Sequence, residues 1–253
     1  MRTEKEQAMW TKAEKLTAKL TLDEKIKMVH GAELFQTKGG ERLGIPPLKM
    51  SDGPMGVRQE FHPAGWKPVG HSDDYVTYLP CNSALAATWN RDLAFETGSV
   101  LGEEARGRGK DVILAPGINI KRSPLCGRNF EYFSEDPYLA SELAKSYISG
   151  VQSKQVGTSI KHFAVNNQEF RRMSCSSELD ERALREIYLS AFEAAVKEAK
   201  PWTVMCSYNR INGVYASENK KLLSDILRDE WGFDGYVTVS YTHLRAHETL
   251  ANL

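Results

Sequence analysis

The chain is poor in cysteine. It has no long apolar run, no excess of charge of either sign and no glycine-rich nucleotide loop. Its four cysteines, Cys81, Cys126, Cys175 and Cys206, are widely spaced and form no CxxC pair. That favours isolated thiols over a disulfide framework or a zinc site. No stretch reaches the ~20 apolar residues of a membrane-spanning helix. The start, MRTEKEQAMWTKAEKL, is charged and helical in pattern and lacks the apolar centre of a secretory signal. As written, the product is expected in the cytoplasm, and a secreted or periplasmic parent is expected only if residues precede this start. Lys plus Arg and Asp plus Glu number 33 each and cancel. The basic footprint of a nucleic-acid binder is therefore missing, and nothing calls for a membrane partner. Gly102, Gly107 and Gly109 fall in or at the end of a helical stretch, not between a first strand and its helix, so they make no phosphate cradle.

What is present reads as an alternation of apolar strands, polar loops and helices. Thr21 and Glu24 form a capping box for a short helix to about Val29. Residues 31–47 are rich in turn formers, and 48–50 make a short strand that empties into the Ser51–Gly56 loop. A long loop follows over 60–78; its histidines, His62 and His71, and its Asp73–Asp74 pair show no periodicity and are read as loop residues. A short helix or turn spans 82–89. An amphipathic helix spans 91–108, with Leu93, Val100, Leu101 and Ala105 on its apolar side. Strands are expected at 112–115, 158–164, 202–207 and 236–240. Helices are expected at 138–152, from a cap at Asp180 to about 199, and from 217 to about 230, where Gly232 stops the last. Near-continuous apolar strands separated by helices predict a parallel sheet covered by helices, with no domain-scale linker. The polar clusters recur just after strands, where a (β/α) barrel or a doubly wound sheet builds its site.

Five places could carry chemistry. Asp52 sits in a turn past a strand. It can accept hydrogen bonds from ligand hydroxyls or simply close its own loop. The stretch 127–137, GRNFEYFSEDP, is dense in charge and aromatics. Its Arg128 and Glu131 can face a site or form a network that only orders the loop. Lys161 and His162 end a strand. Alternation would put them on opposite faces unless the strand tip bends both toward the site. Asn166, Asn167, Glu169, Arg171 and Arg172 follow, and Glu169 with Arg171 is the pair expected to position the groups in contact with ligand. Met205 and Tyr208 flank the next strand end and both are candidates for contact with ligand, with Met205 favoured as core. Charged and amide groups converging with aromatics suit a polar, uncharged, hydroxyl-rich ligand.

The segments 49–58 (KMSDGPMGVR), 127–137, 161–169 (KHFAVNNQE), 205–209 (MCSYN) and 231–237 (WGFDGYV) together resemble the N-terminal domain of glycoside hydrolase family 3. The likeness runs over residues 15–240. It implies an α/β fold of the (β/α)8 TIM-barrel type, incomplete at its C-terminal end. It implies an exo-acting β-glycosidase, β-glucosidase-like, that releases terminal non-reducing sugars by a retaining mechanism. By the same resemblance Asp52, Arg128, Lys161 and His162 hold sugar hydroxyls and Tyr208 stands near the nucleophile. No cofactor or metal is implied, and the partner is a small-molecule or oligosaccharide β-glycoside. The family's N-acetylhexosaminidase branch reads KHFPGHG where this chain reads KHFAVNN at 161–167, which disfavours that branch.

Two departures bear on activity. In the family the nucleophile is an Asp directly after the strand that here ends at Ser240, but Tyr241 and Thr242 follow instead. The whole segment YTHLRAHETLANL departs from the pattern. Residues 1–240 are therefore expected to form an incomplete barrel domain and 241–253 a non-family tail. The acid/base Glu is expected from a second α/β sandwich domain that this chain lacks. No residue of the chain is assigned as catalytic, and the fragment is expected to be inactive. Three other readings stay open: a β-xylosidase of the same family, a non-catalytic carbohydrate-binding barrel, and a lyase or aldolase using Lys161 as a Schiff base.

Overall fold

Five short strands follow one another across a single parallel sheet in the computed structural model, which describes residues 3–62, 65–70 and 75–239. In chain order they are Met50–Asp52, Val112–Leu114, Gly157–Phe163, Thr203–Cys206 and Tyr236–Thr238, and they lie side by side in that same order. A doubly wound sheet would reverse direction at a switch point; this one advances one way throughout. The register pairs Asp52 with Leu114 and Lys161 with Met205.

The period-2 alternation of the strands divides the core. Ile113, Ile160 and Val204 point into the large helix-side cluster with Leu101, Leu143, Ile148 and Phe192. Met50, Val112, Leu114 and Met205 form a small apolar cluster on the other face, with Phe35 and Leu48 against it. Asp52 and Lys161 share the alternation of that second face. The Gly31–Glu33 and Gln36–Thr37 hairpin lies within the segment expected only to turn, and it reaches the first strand through Met50 N–H to Phe35 C=O at 2.7 Å. The first strand itself runs two residues later than expected and ends on Asp52.

The helices follow their caps. Thr21 accepts from the Glu24 amide and the Glu24 carboxylate accepts from the Thr21 amide, completing the expected box over Leu22–Met28. Asn90 caps Arg91–Gly107, Asp136 caps Pro137–Gln152, and Asp180 caps the helical run that begins at Glu181. The last helix forms as a short turn, Ala216–Glu218, and then a wide helix, Lys221–Glu230.

The apolar side expected for the Arg91–Gly107 helix needs correction. Leu93 and Val100 are exposed, and the buried stripe is Ala94, Thr97, Gly98, Leu101, Gly102 and Ala105. The reason is the approach of the Pro137–Gln152 helix. A Cβ on Gly98 would lie 2.2 Å from the Tyr147 carbonyl oxygen, and one on Gly150 would lie 2.1 Å from that of Phe95. Two backbones this close leave room for small residues only.

The four cysteines are free thiols; Cys126 and Cys206 are buried, and burial pushes the Cys206 thiol up to about 12. No helix among the described residues is long and apolar enough to cross a membrane. Residues 71–74 and 240–253, with the His71, Asp73–Asp74 and tail readings, lie outside the described residues.

Candidate functional site

The site grows from the ends of the first and third strands. Asp52 is the last residue of its strand, and the chain turns at once: Gly53 has φ 121°, and a Cβ there would sit 1.8 Å from the Gly56 carbonyl oxygen. Only glycine allows so tight a turn. It brings Arg58 back, with its amide on the Asp52 carbonyl at 3.1 Å and its guanidinium on the Asp52 carboxylate at 3.2 Å. The Arg58 guanidinium rests against the packed pair of Phe61 and Trp66 rings, 5.3 and 5.2 Å from their centroids.

Lys161 reaches Asp52 from the third strand, Nζ to Oδ1 at 3.0 Å, and Glu131 at 3.3 Å. Both Lys161 and Glu131 are almost wholly buried, at 2% and 3% exposure. Burying two charges is tolerable only with partners of this kind. The third strand shifts register between Lys161 and Phe163, and the Lys161–His162 and Phe163–Ala164 peptide bonds are cis. A register shift of this kind re-aims side chains at a strand end, and Lys161 and His162 both join the same polar network.

From Glu131 the network runs on through the polar loop. Arg128 Nε pairs with Glu131 and lies 4.0 Å from Glu169, whose other oxygen takes Arg172. The Arg172 guanidinium rests 5.2 Å from the Tyr208 ring centroid. The charges therefore alternate along Arg58, Asp52, Lys161, Glu131, Arg128, Glu169 and Arg172. Beside them His162 is buried. Its Nδ1 is 3.1 Å from the Tyr132 hydroxyl, and its backbone amide and carbonyl are both held by the Asn119 side chain, at 2.6 and 2.9 Å. Asn166 donates to the Tyr132 oxygen at 3.2 Å and to Glu169 at 3.1 Å.

The electrostatics follow from these contacts. Burial pushes the Asp52 carboxyl up, but Lys161, Arg58 and the Gly53 amide outweigh it and hold the group below the usual carboxylate range. Burial lowers the His162 imidazole well below its ordinary value, and the cations Arg128, Lys161 and Arg172 lower it further. Near neutral pH the site thus presents an ionised acceptor, a neutral imidazole and several fixed cationic donors. A hydroxyl group both donates and accepts, and this set can satisfy it both ways.

The sequence-predicted residues converge with two adjustments. Asp52, Arg128, Glu131, Lys161, His162 and Glu169 share one network, and Tyr208 borders it through Arg172. Arg171 does not hold Glu169. It is exposed, has φ 54°, and lies over the Phe170 ring, while the next residue, Arg172, makes the ion pair. The positive φ turns the chain between the two arginines, which no spacing rule reveals. Met205 packs in the small apolar cluster with Met50, Val112 and Leu114.

Arg58, Asn119 and Tyr132 were not singled out from the sequence, and Arg172 was named there only as a neighbour of Arg171. Arg58 and Tyr132 lie inside motifs already recognised there, and that was the available signal. A cavity of about 190 Å³ adjoins the network through Met50, Ser51 and Arg58 and is also lined by Phe35, Phe61 and Lys110. Among the described residues no group of three or more His, Cys, Asp or Glu could hold a metal ion.

A one-way parallel α/β sheet with a polar network at its strand ends defines the class of an α/β scaffold that builds its site beyond the strand ends. The chain belongs to glycosyl hydrolase family 3: residues 37–251 match the family's N-terminal domain. The matched span passes Ser240 and takes in most of the segment expected to lie outside the domain. The chain is 52% identical over 223 residues to thermostable beta-glucosidase B of Acetivibrio thermocellus, covering 88% of this chain and 29% of that protein. It is 49% identical over 218 residues to an exo-alpha-(1->6)-L-arabinopyranosidase of Bifidobacterium longum, covering 86% and 29%. Beta-glucosidase 3B from Thermotoga neapolitana, solved with glucose, superposes with a TM-score of 0.83 at 46% identity, over 89% of this chain and 33% of that one. The chain therefore spans about a third or less of the length of these relatives.

Proposed function

We propose that the network around Lys161 binds the terminal non-reducing sugar of a β-glucoside, within a (β/α)8 barrel of which the described sheet is the larger part. The observation that carries this is Lys161 held between Asp52 and Glu131 at the end of its strand, in line with Arg128. In this reading Asp52 accepts from sugar hydroxyls, Lys161, Arg128 and His162 donate to them, and Tyr208 borders the ring. Glu131 and Glu169 fix the donors. The one-way strand order and the glucose-bound relative support it.

The reaction served by such a site in the whole family enzyme is retaining hydrolysis, which needs two carboxyl groups ~5 Å apart. The site's own carboxylates are committed elsewhere: Asp52 to Lys161 and Arg58, Glu131 to Lys161 and Arg128, Glu169 to Arg172. Tyr241 stands where the family resemblance leads to an Asp. We therefore assign this polypeptide sugar binding without cleavage. Nor does Lys161 suit a Schiff base, which needs a free lone pair on a nitrogen here engaged by two carboxylates.

Calorimetry of the 253-residue chain tests the reading. Saturable glucose binding is expected, weakened about tenfold or more by Asp52→Asn, the loss of a charged hydrogen bond. No release from p-nitrophenyl β-D-glucoside is expected. Competition with D-xylose and L-arabinose ranks the alternative sugars. Absence of glucose binding by the folded chain refutes the reading, and turnover refutes the assignment of binding without cleavage.

A further inference from the structure

Tyr132 is fully buried, and its hydroxyl faces two nitrogens, His162 Nδ1 at 3.1 Å and Asn166 Nδ2 at 3.2 Å. The direction of each hydrogen bond can be deduced from one end. Glu169 is ion-paired to Arg172 and can only accept. The Asn166 atom 3.1 Å from it must therefore be the amide nitrogen, because an amide oxygen there would face a carboxylate. That same nitrogen faces the Tyr132 oxygen, so Tyr132 accepts from Asn166. The Tyr132 hydrogen is then free for one remaining neighbour, His162 Nδ1, which must be bare to receive it. A neutral imidazole with a bare Nδ1 carries its hydrogen on Nε2. No partner for Nε2 exists among the described residues, yet it is not among the buried atoms left unsatisfied. That edge of the ring is the one left for a ligand in the sugar-site reading.

We infer that the relay Glu169–Asn166–Tyr132 fixes His162 as the Nε2–H tautomer, so that it can meet a ligand hydroxyl only as a hydrogen-bond donor. Tyr132 and Asn166 are positioning residues that act through His162. A donor at this position meets the oxygen of a ligand hydroxyl, and the opposite tautomer would present a bare nitrogen there. This rests on the reading of the site as a sugar site, but the tautomer can be measured without any sugar.

Long-range proton–nitrogen NMR of the nitrogen-15-labelled chain, with the His162 signals assigned by their loss in His162→Gln, reads the tautomer directly. The expected pattern is a protonated-type Nε2 and a bare-type Nδ1. Tyr132→Phe, which keeps the ring and removes the hydroxyl, is expected to move both nitrogens toward the average of the two tautomers and to weaken glucose binding about tenfold. Glu169→Gln, at a more exposed position, is expected to move them in the same direction by less, and it serves if Tyr132→Phe does not fold. A protonated Nδ1 in the unsubstituted chain overturns the inference, as do unmoved nitrogens in the folded variants. The expected tautomer without any glucose binding overturns the sugar reading and leaves the relay standing.

Discussion

Acidification should destabilise this protein earlier than its carboxylates alone would allow, because His162 is buried neutral. In the unfolded chain its imidazole titrates near 6.5, while in the fold burial and the cations Arg128, Lys161 and Arg172 depress it far below that. As pH falls through 6.5 the unfolded state takes up a proton that the folded state refuses, so stability is lost at up to ~1.36 kcal/mol per pH unit. Going from about pH 7.5 to about pH 5.5, the protonation of the unfolded group costs stability on the order of 1 kcal/mol. Asp52 acts in a separate window. Its folded value is lowered from 3.8, so its contribution is present above that pH and is lost only as pH falls through the still lower folded value. Urea unfolding at the two pH values, on the chain and on His162→Gln, measures the term. The variant should lose less over this interval than the unsubstituted chain, by on the order of 1 kcal/mol. Equal losses in both would refute the argument that His162 is held neutral by burial.

The two adjacent arginines should separate cleanly: Arg172→Ala is expected to weaken glucose binding about tenfold through Glu169 and Tyr208, whereas Arg171→Ala changes it by less than about twofold. Calorimetry of both variants checks this, and equal effects would return the positioning role to Arg171. Gly150→Ala should cost about 1–3 kcal/mol in urea unfolding, because its Cβ would meet the Phe95 carbonyl oxygen at 2.1 Å; a neutral result would show that the two helices can part without cost.

Strands and caps were readable because their determinants are local. The expected caps, Thr21 with Glu24 and Asp180, each bond an amide three residues on, as do Asn90 and Asp136, which were not read as caps, and the runs at 112–114 and 203–206 are buried on both faces. The apolar side of the Arg91–Gly107 helix was misjudged for the opposite reason. Its buried stripe is set by how near another helix comes, and glycine and alanine carry little hydrophobic signal of their own. At the site the motifs picked out the correct loops but not every side chain within them. Arg172 replaced Arg171 because of one left-handed backbone angle, and Arg58 joined Asp52 through a turn that depends on Gly53.

By itself the sequence determined the alternation of strand and helix, the family, and the polar segments from which the site is drawn, since periodicity, capping and motif order are properties of neighbours along the chain. Only the tertiary structure decided which charges meet. Lys161 pairs with Asp52 across 109 positions. His162 is flanked by Tyr132 and Asn119, 30 and 43 positions away. Distances of that kind are set by the packing of the parallel sheet against its helices. The ionisation of Asp52 and the neutrality of His162 follow from that packing, because the surrounding charges and the exclusion of water exist only once the strands lie side by side.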